Sequence, residues 1–249
     1  MGNITSLQLI LPPVDFSECR RTPRSIVYFI YMIGNKRIIL RFSRYRNALT
    51  RFKALGFVKI FSEYLADAVA VTSAQVRKDF SLFGISGNKR GGYHIDALIA
   101  KLSDILGKNE IQKVVLVGAG QLGSALLKYR TFEQEGIKIV AAFDIDPAKA
   151  QKTPTPILPL EQIAGYIERN EIKVAILCVP DIAAQQTVDT LVKAGIKGVL
   201  NFAPIELKAP HDCIINNVNM AIELESLIYF VNVMNKPPPL TIRNTGKRS

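Results

Sequence analysis

The sequence is poor in the residues that build redox and metal sites. Its 249 residues include only three cysteines, Cys19, Cys178 and Cys213, which stand far apart and form no C-x-x-C pair. This spacing excludes the common zinc and dithiol motifs, and an odd, scattered set is typical of proteins of a reducing cytosol. We therefore expect these cysteines to be small packing or surface residues, and we predict no metal site.

Long hydrophobic runs are also missing. The only apolar run near the start covers residues 25–34 ("SIVYFIYMIG"), and its apolar core of about eight residues is far shorter than the roughly 20 that span a bilayer. Lys36, Arg37 and Arg41 follow this run, whereas a signal peptide carries its charge before the apolar stretch and a small-residue cleavage site after it. We expect no membrane span and no export, and hence a cytoplasmic protein.

Negative charge is scarce in the first half of the chain. Residues 1–108 contain 17 Lys and Arg and 7 Asp and Glu, whereas residues 109–249 contain 15 and 14, so the first half carries nearly all of the net charge of +11. Basic residues concentrated in one region raise its potential and favour polyanions such as nucleic acid. An anionic membrane surface, or a solvated basic surface without a partner, stays open on charge alone.

A glycine-rich motif marks the second half. The β-branched run "KVVLV" is typical of a strand buried on both faces, and "GAGQLG" follows it and leads into the helical pattern "SALLKY". A G-x-G-x-x-G between strand and helix predicts a dinucleotide site, in which the glycines allow a tight turn, make room for the pyrophosphate and let helix and strand approach. The predicted cofactor-binding residues of this loop are Gly118, Ala119, Gly120, Gln121, Leu122 and Gly123.

The next predicted strand ends in an acidic residue. In "KIVAAFDIDP", Asp144 stands 21 residues after Gly123, which is the spacing of the acid that binds a ribose 2′-hydroxyl. Its carboxylate would repel a 2′-phosphate, and no Arg follows closely to bind one. The pattern therefore predicts NAD and NADH as ligands instead of the phosphorylated cofactor.

Strand and helix patterns continue to alternate after Asp144. The segments "LEQIAGYIERN", "KVAILCVP", "DIAAQQTVDTLVKAG" and "GVLNFAP" predict a parallel sheet with helices on both faces. Ligands bind beyond the carboxyl ends of such strands, so Val179, Pro180, Asn201 and Pro204 are predicted on the nicotinamide side. Each is also compatible with an ordinary loop start.

Histidine is nearly absent, which bears on catalysis. Hydride transfer usually needs a positioned acid or base, and the two histidines, His94 and His211, lie before the glycine motif and in a turn-like segment. We therefore expect a protein that binds NAD(H) without consuming it, and not an enzyme. An NAD-dependent oxidoreductase with an appended domain is the alternative.

The basic half contains a well-marked helix start. In "VTSAQVRKDFSLFG", Thr72 can cap a helix and Gln75 can close a capping box, while Val76, Phe80 and Phe83 form an inward stripe. Helical patterns from Ser43 to Gly56 and from Ser62 precede it, so a helix-turn-helix is predicted. The outward residues predicted to contact DNA are Ser73, Gln75, Arg77 and Lys78.

The loop after this helix, "ISGNKRGGYHI", is glycine-rich and basic, and it predicts a wing beside the recognition helix. Lys89 and Arg90 would then contact a phosphate or the minor groove. A helical bundle with an exposed basic face is the alternative that pattern alone leaves open.

These motifs together resemble one known family. The segments "VTSAQVRKDFSLFG", "KRGGY", "LVGAGQLGSALL", "AAFDIDP", "VPDIAAQ", "AGIKGVLNFAP" and "NVNMAIEL" occur in the order found in the Rex redox-sensing transcriptional repressors, over roughly residues 41–235. The resemblance implies a homodimer with winged-helix domains, NAD(H)-binding domains and a C-terminal helix exchanged between subunits. It also implies that the NAD-bound state binds operator DNA and that NADH releases it.

The expected fold class is α/β, with an N-terminal winged-helix domain, a Rossmann-like parallel-sheet domain and a C-terminal dimerisation helix. The apolar helix pattern after Asn219 leaves little polar face and must be covered, either by a second subunit or by the core of its own. Met32, ahead of the first basic helix pattern, is a candidate initiator. The expected segments are an extension (1–38), a DNA-binding domain (39–108), an NAD(H)-binding domain (109–217), the dimerisation helix (218–235) and a disordered tail (236–249).

The resemblance also implies a switch, at which the sequence departs from the family. An Arg of the first helix, a Tyr after the nucleotide-binding helix and an Asp opening the last helix communicate the cofactor state there. Tyr129 remains, but Asn219 stands for the Asp and Asn47 for the Arg, with Arg46 beside it. Because Asn cannot form a charged pair, we expect a weakened switch.

Two further alternatives remain. The sheet domain could bind coenzyme A, as the domains of acyl-CoA ligase subunits do, although no phosphohistidine loop accompanies it. The chain could also be a structural DNA-binding protein whose ligand pocket has lost its role, and the two Asn departures are compatible with that.

Overall fold

The computed structural model describes residues 36–88, 91–146 and 153–235. The chain divides between Glu110 and Ile111 into two compact units, which are described separately. No helix within the described ranges is long and apolar enough to cross a membrane.

The N-terminal unit is helical, with two very short strands. The strands pair antiparallel, with Lys59 opposite His94 and Ile60 opposite Tyr93. Its elements, in chain order, are α1 (Lys36–Ala54), β1 (Lys59–Ile60), α2 (Ser62–Ala68), α3 (Ser73–Leu82), β2 (Tyr93–His94) and α4 (Ile95–Ile105).

Aromatic side chains from α1 and α3 form the centre of this unit. Phe42, Tyr45 and Phe80 are completely buried, and the rings of Tyr45 and Phe80 meet edge to face with centroids 5.4 Å apart. Val76 and Phe80 point inward as predicted, and Phe83 packs partly buried against Phe42 at 4.7 Å between ring centroids. Helix α3 is therefore fixed to α1 along its apolar face.

A tight turn joins α2 to α3. Ala70 adopts a left-handed conformation (φ 56°), a region that residues other than glycine rarely occupy. The hydroxyl of Thr72 then accepts the Gln75 backbone N–H at 3.1 Å, which is the predicted N-cap. Turn and cap together define where α3 begins.

A buried carboxylate joins α3 to α1. Asp79 is fully buried, and the Arg41 guanidinium donates to both of its oxygens, from Nε at 2.5 Å and from Nη2 at 2.7 Å. The Tyr45 hydroxyl and the Gln75 side-chain amide donate to it as well, at 3.0 and 2.6 Å. Burial alone would raise the pKa of Asp79, but these hydrogen bonds, led by Arg41, outweigh it and hold the pKa below its usual value.

The C-terminal unit contains a six-stranded, wholly parallel sheet. The spatial order is β5-β4-β3-β6-β7-β8, which is the 3-2-1-4-5-6 order of a Rossmann fold. The strands are β3 (Gln112–Val117), β4 (Ile137–Asp144), β5 (Ile157–Pro159), β6 (Val174–Leu177), β7 (Gly198–Asn201) and β8 (Ile214–Asn217).

Helices cover both faces of this sheet. Residues of α7 and α8 pack with Val115 and Phe143 on one face, and residues of α5 and α6 pack with Val114 and Leu116 on the other. A sheet buried on both faces explains why its central strands are continuous apolar runs. The helices are α5 (Gln121–Leu127), α6 (Thr131–Gln134), α7 (Ile163–Asn170), α8 (Asp181–Lys193) and α9 (Met220–Met234), with a 3₁₀ turn at Leu160–Gln162.

Helix α9 is not covered by the other described residues of its own chain. None of its residues is buried, and ten of its large apolar side chains are between 46% and 83% exposed. Packing into the core of its own subunit, one of the two alternatives left by the sequence, is therefore not what the described residues show. The ten side chains are Met220, Ile222, Leu224, Leu227, Ile228, Tyr229, Phe230, Val231, Val233 and Met234.

The first helix differs from its predicted bounds. It begins at Lys36, seven residues before the predicted start at Ser43 and inside the segment 1–38 that was expected to be an extension. Its first residues are basic and exposed, so the apolar period that marked the helix starts only later. Residues 1–35, with Met32, and the tail 236–249 lie outside the described residues.

We predict that Asp79→Asn destabilises the N-terminal unit by about 3 kcal/mol, because it leaves the Arg41 charge without its partner. The folded-state pKa of Asp79 lies below the usual 3.8, so the ionised group stabilises the fold at neutral pH, and this stabilisation is lost as pH falls below about 4. Chemical denaturation at pH 7 and at pH 3 measures both effects.

Asp96→Asn is the matched control, since this exposed carboxylate also pairs with a cation, Lys53, at 2.6 Å. It should change the free energy of unfolding little. Equal stability of the Asp79→Asn variant and the unchanged protein at pH 7 would refute a stabilising role for the ion pair.

Candidate nucleotide and DNA sites

The glycine loop lies where the strand order of the sheet reverses. It connects the end of β3 to α5, and β3 pairs with β4 on one side and β6 on the other. The Cys178 N–H, just beyond β6, donates to the Val117 carbonyl at 2.7 Å, so the two strands stay joined up to the loop. A parallel sheet opens a ligand crevice at this kind of switch point.

Each of the three glycines meets a different steric demand. Gly118 has φ 94°, and a Cβ there would lie 2.4 Å from the Cys178 carbonyl oxygen. A Cβ on Gly123 would lie 1.9 Å from the Gly118 carbonyl oxygen, so α5 can approach the loop only without a side chain. Gly120 has no atom within 4 Å of such a Cβ, and its exposed backbone faces open space. These are the turn, the close helix packing and the free space that a pyrophosphate site requires.

Asp144 lies at the end of β4, next to this loop. Its Oδ2 accepts the Ala119 backbone N–H at 2.7 Å and its Oδ1 accepts the Asp146 backbone N–H at 2.9 Å. A carboxylate offers about four acceptor positions, so two remain for ligand hydroxyls. The half-buried carboxylate is therefore held in one orientation beside the loop.

Other loop residues show graded exposure. Ala119 is buried, Leu122 is half-buried and Gln121 is exposed. Ser124 braces the loop, since its hydroxyl donates to the Ala119 carbonyl at 2.8 Å. The backbone of the loop is thus held in place from both ends of the motif.

The predicted nicotinamide-side residues divide into two kinds. Val179 is half-buried, and Pro180 and Pro204 are exposed. Asn201 is fully buried, and its amide donates to the carbonyls of Ala203 and Ile205 and to Asn217, while its carbonyl accepts the Ala203 N–H. The Asn201 side chain is fully used within the loop, so it shapes the backbone there.

The predicted switch residues occupy distinct places. Tyr129 follows α5, is 53% exposed and meets the Phe132 ring edge to face with centroids 5.1 Å apart. Asn219 caps α9, because its Oδ1 accepts the N–H groups of Ala221 and Ile222 at 3.1 and 3.2 Å. Asn47 is half-buried within α1, and the neighbouring Arg46 donates from Nε to the Ser103 hydroxyl at 3.0 Å.

The groups that could do chemistry at the crevice are few. Burial raises the pKa of the half-buried Cys178 thiol to about 12, so it is protonated at neutral pH. Burial also raises the pKa of Cys213. Among the described residues, no three His, Cys, Asp or Glu side chains come together as metal ligands.

Two of the predicted DNA-contacting side chains on α3 are held by the protein. Gln75 turns inward and donates to Asp79, which differs from its predicted outward direction. The Nη1 of Arg77 donates to the Ser62 hydroxyl at 2.9 Å and contacts Glu63 Oε1 at 3.3 Å. Lys78 is exposed and Ser73 is half-buried at the first position of the helix.

The described residues on either side of the predicted wing lie close together. Asn88 and Gly92 form an antiparallel bridge, and Gly92 has φ 65° with its Cα so close to the Ile60 carbonyl that a Cβ would lie 2.6 Å from that oxygen. Gly87 packs under the Tyr93 ring, with 2.5 Å for a Cβ. Lys89 and Arg90, the basic residues of the predicted wing, lie outside the described residues.

Sequence reasoning missed Asp79 and its partner Arg41. The apolar stripe of α3 was read from Val76, Phe80 and Phe83, and Asp79 lies on the same side of the helix, where a charge is unexpected. A basic residue in α1 was the available signal, but only the fold brings the two together across 38 positions. The contacts of Ser62 and Glu63 with Arg77 were missed for the same reason.

Two family models match the chain. Residues 36–81 match a "putative DNA-binding protein N-terminus" model, and residues 109–205 match a "CoA binding domain" model. The first covers α1 to α3, and the second covers most of the parallel sheet.

Proteins similar over nearly their whole length are also known. The redox-sensing transcriptional repressor Rex of Streptococcus pneumoniae R6 is 40% identical over 195 residues, which cover 77% of this chain and 92% of that protein. A crystal structure of RSP with NAD⁺ and operator DNA superimposes with a TM-score of 0.75 at 36% identity, covering 79% of this chain and 92% of RSP. RSP with NADH superimposes with a TM-score of 0.70 at 35% identity, covering 80% and 94%.

The match extends through both units, and the glycine loop, Asp144 and the helix-turn-helix occur in the order that the resemblance required. The chain therefore belongs to the Rex family of redox-sensing transcriptional repressors.

Proposed function

We propose that this protein is a redox-sensing transcriptional repressor that binds operator DNA and is released from it as the ratio of NADH to NAD rises. The observation that carries this is the presence, in one chain, of the glycine loop at the switch point of the sheet and a capped helix-turn-helix, over nearly the whole length of a Rex repressor. A repressor acts where its DNA is, which in a bacterium is the cytoplasm. The function is regulatory and not enzymatic.

The C-terminal unit, expected at residues 109–217, is proposed to bind NAD and NADH. The open space over Gly120 fits a pyrophosphate, and the fixed carboxylate of Asp144 fits a ribose diol. Val179, Pro180 and Pro204 remain candidates for the nicotinamide end, with Asn201 shaping that loop.

The N-terminal unit, expected at 39–108 and beginning with α1 at Lys36, is proposed to bind double-stranded DNA through α3. Lys78 is exposed there, and Arg77 presents part of its guanidinium. The basic charge of this half supports contact with phosphates. Lys89 and Arg90 are proposed to extend the contact through the wing.

The protein is proposed to be a homodimer joined through α9, expected at 218–235. A 15-residue helix with ten exposed large apolar side chains is not stable in water on its own. A second copy of the chain offers the same helix and the same sheet domain in return, as a two-fold interface requires. The exchanged helix implied by the resemblance would cover this surface.

We predict that Asp144→Ala weakens NADH binding by about 1–3 kcal/mol, because the ribose hydroxyls lose a hydrogen-bond acceptor. The ratio of the affinities for NADH and NADPH should decrease at the same time, since the charge that repels a 2′-phosphate is gone. Calorimetric titrations with NADH, NADPH and coenzyme A measure both effects.

Asp189→Ala is the control and should leave all three titrations unchanged, because it removes an exposed carboxylate on α8 whose partner among the described residues is Gln185, at 2.9 Å. If the Asp144 variant binds NADH as tightly as the unchanged protein, the ribose assignment is wrong. Tighter binding of coenzyme A than of NADH by the unchanged protein would favour a coenzyme A ligand instead.

We predict that NADH releases DNA incompletely from this protein and that Asn219→Asp combined with Asn47→Arg sharpens the release. A charged contact made in only one state would add roughly 1–3 kcal/mol of bias between the states. Asp keeps the oxygen that caps α9, so the substitution at Asn219 leaves the helix start intact.

Fluorescence anisotropy of a labelled duplex, titrated with NADH at fixed NAD and fixed salt, measures this switch. Each single variant is a control, because one charge without its partner should sharpen release less than the pair. If NADH releases the unchanged protein completely at a low ratio of NADH to NAD, and the double variant behaves the same, the prediction of a weakened switch is wrong. The proposal that the protein senses NADH would still stand. A duplex affinity that does not respond to NADH at all would contradict the sensor itself.

A further inference from the structure

An exposed carboxylate on α2 holds the Arg77 side chain of the recognition helix. Nη1 of Arg77 lies 3.3 Å from Glu63 Oε1 and donates to the Ser62 hydroxyl at 2.9 Å. That hydroxyl in turn donates to Glu63 Oε1 at 3.3 Å. The three groups form a closed triangle that fixes one end of the guanidinium.

The rest of the Arg77 guanidinium is unoccupied. Within the described part of the chain, Nε and Nη2 of Arg77 have no hydrogen-bond or ion-pair partner. These two atoms form the side edge that binds two acceptors at once, and Arg41 uses the same edge for both oxygens of Asp79. The edge left free on Arg77 is therefore the one suited to the O6 and N7 acceptors of guanine.

The triangle lies beside the short sheet formed by β1 and β2. Ser62 is the first residue of α2, which follows β1 in the chain. Strand β1 pairs with β2, and Ile60 of β1 lies opposite Tyr93 of β2. Burial raises the pKa of Tyr93, and the charges of Arg77 and Glu63 act on its hydroxyl in opposite directions, which puts both within electrostatic reach of it. The Tyr93 ring also packs on Phe80 of α3, with centroids 5.2 Å apart.

We infer that Glu63, with Ser62, is a positioning residue that determines DNA specificity by holding Arg77 in the orientation that reads a guanine. This inference rests on the proposed binding of DNA through α3. A free arginine side chain loses rotamer entropy when it is fixed at an interface, which weakens binding by roughly two- to twelvefold, and a side chain already restrained loses less.

The negative charge of Glu63 should also raise sequence specificity. Next to DNA it repels phosphates, which weakens binding that depends on backbone charge alone. It also occupies Nη1 of Arg77, so that the guanidinium cannot turn that nitrogen to a phosphate. Glu63 should thus lower affinity for DNA of any sequence while it raises affinity for the preferred sequence relative to others.

A merely local role for Glu63 makes a different prediction. An acidic residue in the first turn of a helix stabilises that helix through its dipole, and this would affect folding but not the choice of sequence. A general electrostatic effect on DNA would not depend on Arg77. If the effect of Glu63 on sequence discrimination depends on Arg77, then Glu63 acts by positioning Arg77. Neither the local stabilising role nor the general electrostatic effect predicts this dependence.

The test is a double-mutant cycle with Glu63→Gln, Arg77→Ala and the pair, in the full-length protein at fixed salt. The probes are a duplex that the unchanged protein selects from a random pool and a duplex of shuffled sequence. In the unchanged background Glu63→Gln should reduce the ratio of the two affinities by roughly two- to twelvefold, the factor that corresponds to the rotamer entropy of one restrained side chain, and should raise affinity for the shuffled duplex. In the Arg77→Ala background the same change should leave the ratio unaltered.

Asp67→Asn is the matched control, because it removes an equal charge from the exposed face of the same helix, one turn away. It should raise both affinities alike and keep their ratio. Thermal unfolding of each variant shows whether α2 is intact. A reduction of the ratio by Glu63→Gln that is the same with and without Arg77, or no reduction at all, overturns the positioning role.

The proposed function fails in a separate way. If Arg77→Ala and Lys78→Ala both leave the affinity for the selected duplex unchanged, α3 does not read DNA, and the inference falls with the proposal on which it rests. If these variants weaken binding but the cycle is additive, DNA binding through α3 stands and only the role of Glu63 is overturned.

Discussion

The backbone approach between the glycine loop and the end of β6 is the constraint on which the nucleotide site depends. Gly118 lies so near the Cys178 carbonyl, and Gly123 so near the Gly118 carbonyl, that neither position has room for a Cβ. These contacts set the loop at the point where the strand order reverses, leave the space over Gly120 open, and bring the Ala119 N–H within reach of Asp144. The shape of the loop, the free space over Gly120 and the contact of the loop with Asp144 therefore depend on one steric condition.

Features that depend on neighbours in the sequence were predictable, and those that depend on distant contacts were not. The glycine loop, the Thr72 cap and the position of Asp144 follow from local chemistry and spacing, and they occur in the fold where the sequence predicts them. Strand β8 was missed because its two asparagines are poor strand formers, and it pairs only because β7 offers a free edge. The inward turn of Gln75 was missed because its cause, buried Asp79, is itself held from another helix.

Helix α9 shows how far pattern alone can go. Its sequence required that it be covered, and the fold shows that the described residues of its own chain do not cover it. A helix with apolar residues on every side cannot bury all of them against a single flat surface, so any partner must surround it. In the proposed dimer, assembly and stability would be one equilibrium, and the concentration of protein would enter the measured stability.

The recognition helix carries two arginine–carboxylate contacts of opposite character. Asp79 points into the unit, where its fully buried carboxylate pairs with Arg41 and so joins α3 to α1, and loss of either partner would leave a charge without compensation. Arg77 points outward and meets Glu63 in an exposed pair that contributes little to stability. The buried pair thus fixes α3 on α1, while the exposed pair restrains Arg77 at Nη1 and leaves its Nε and Nη2 without a partner among the described residues.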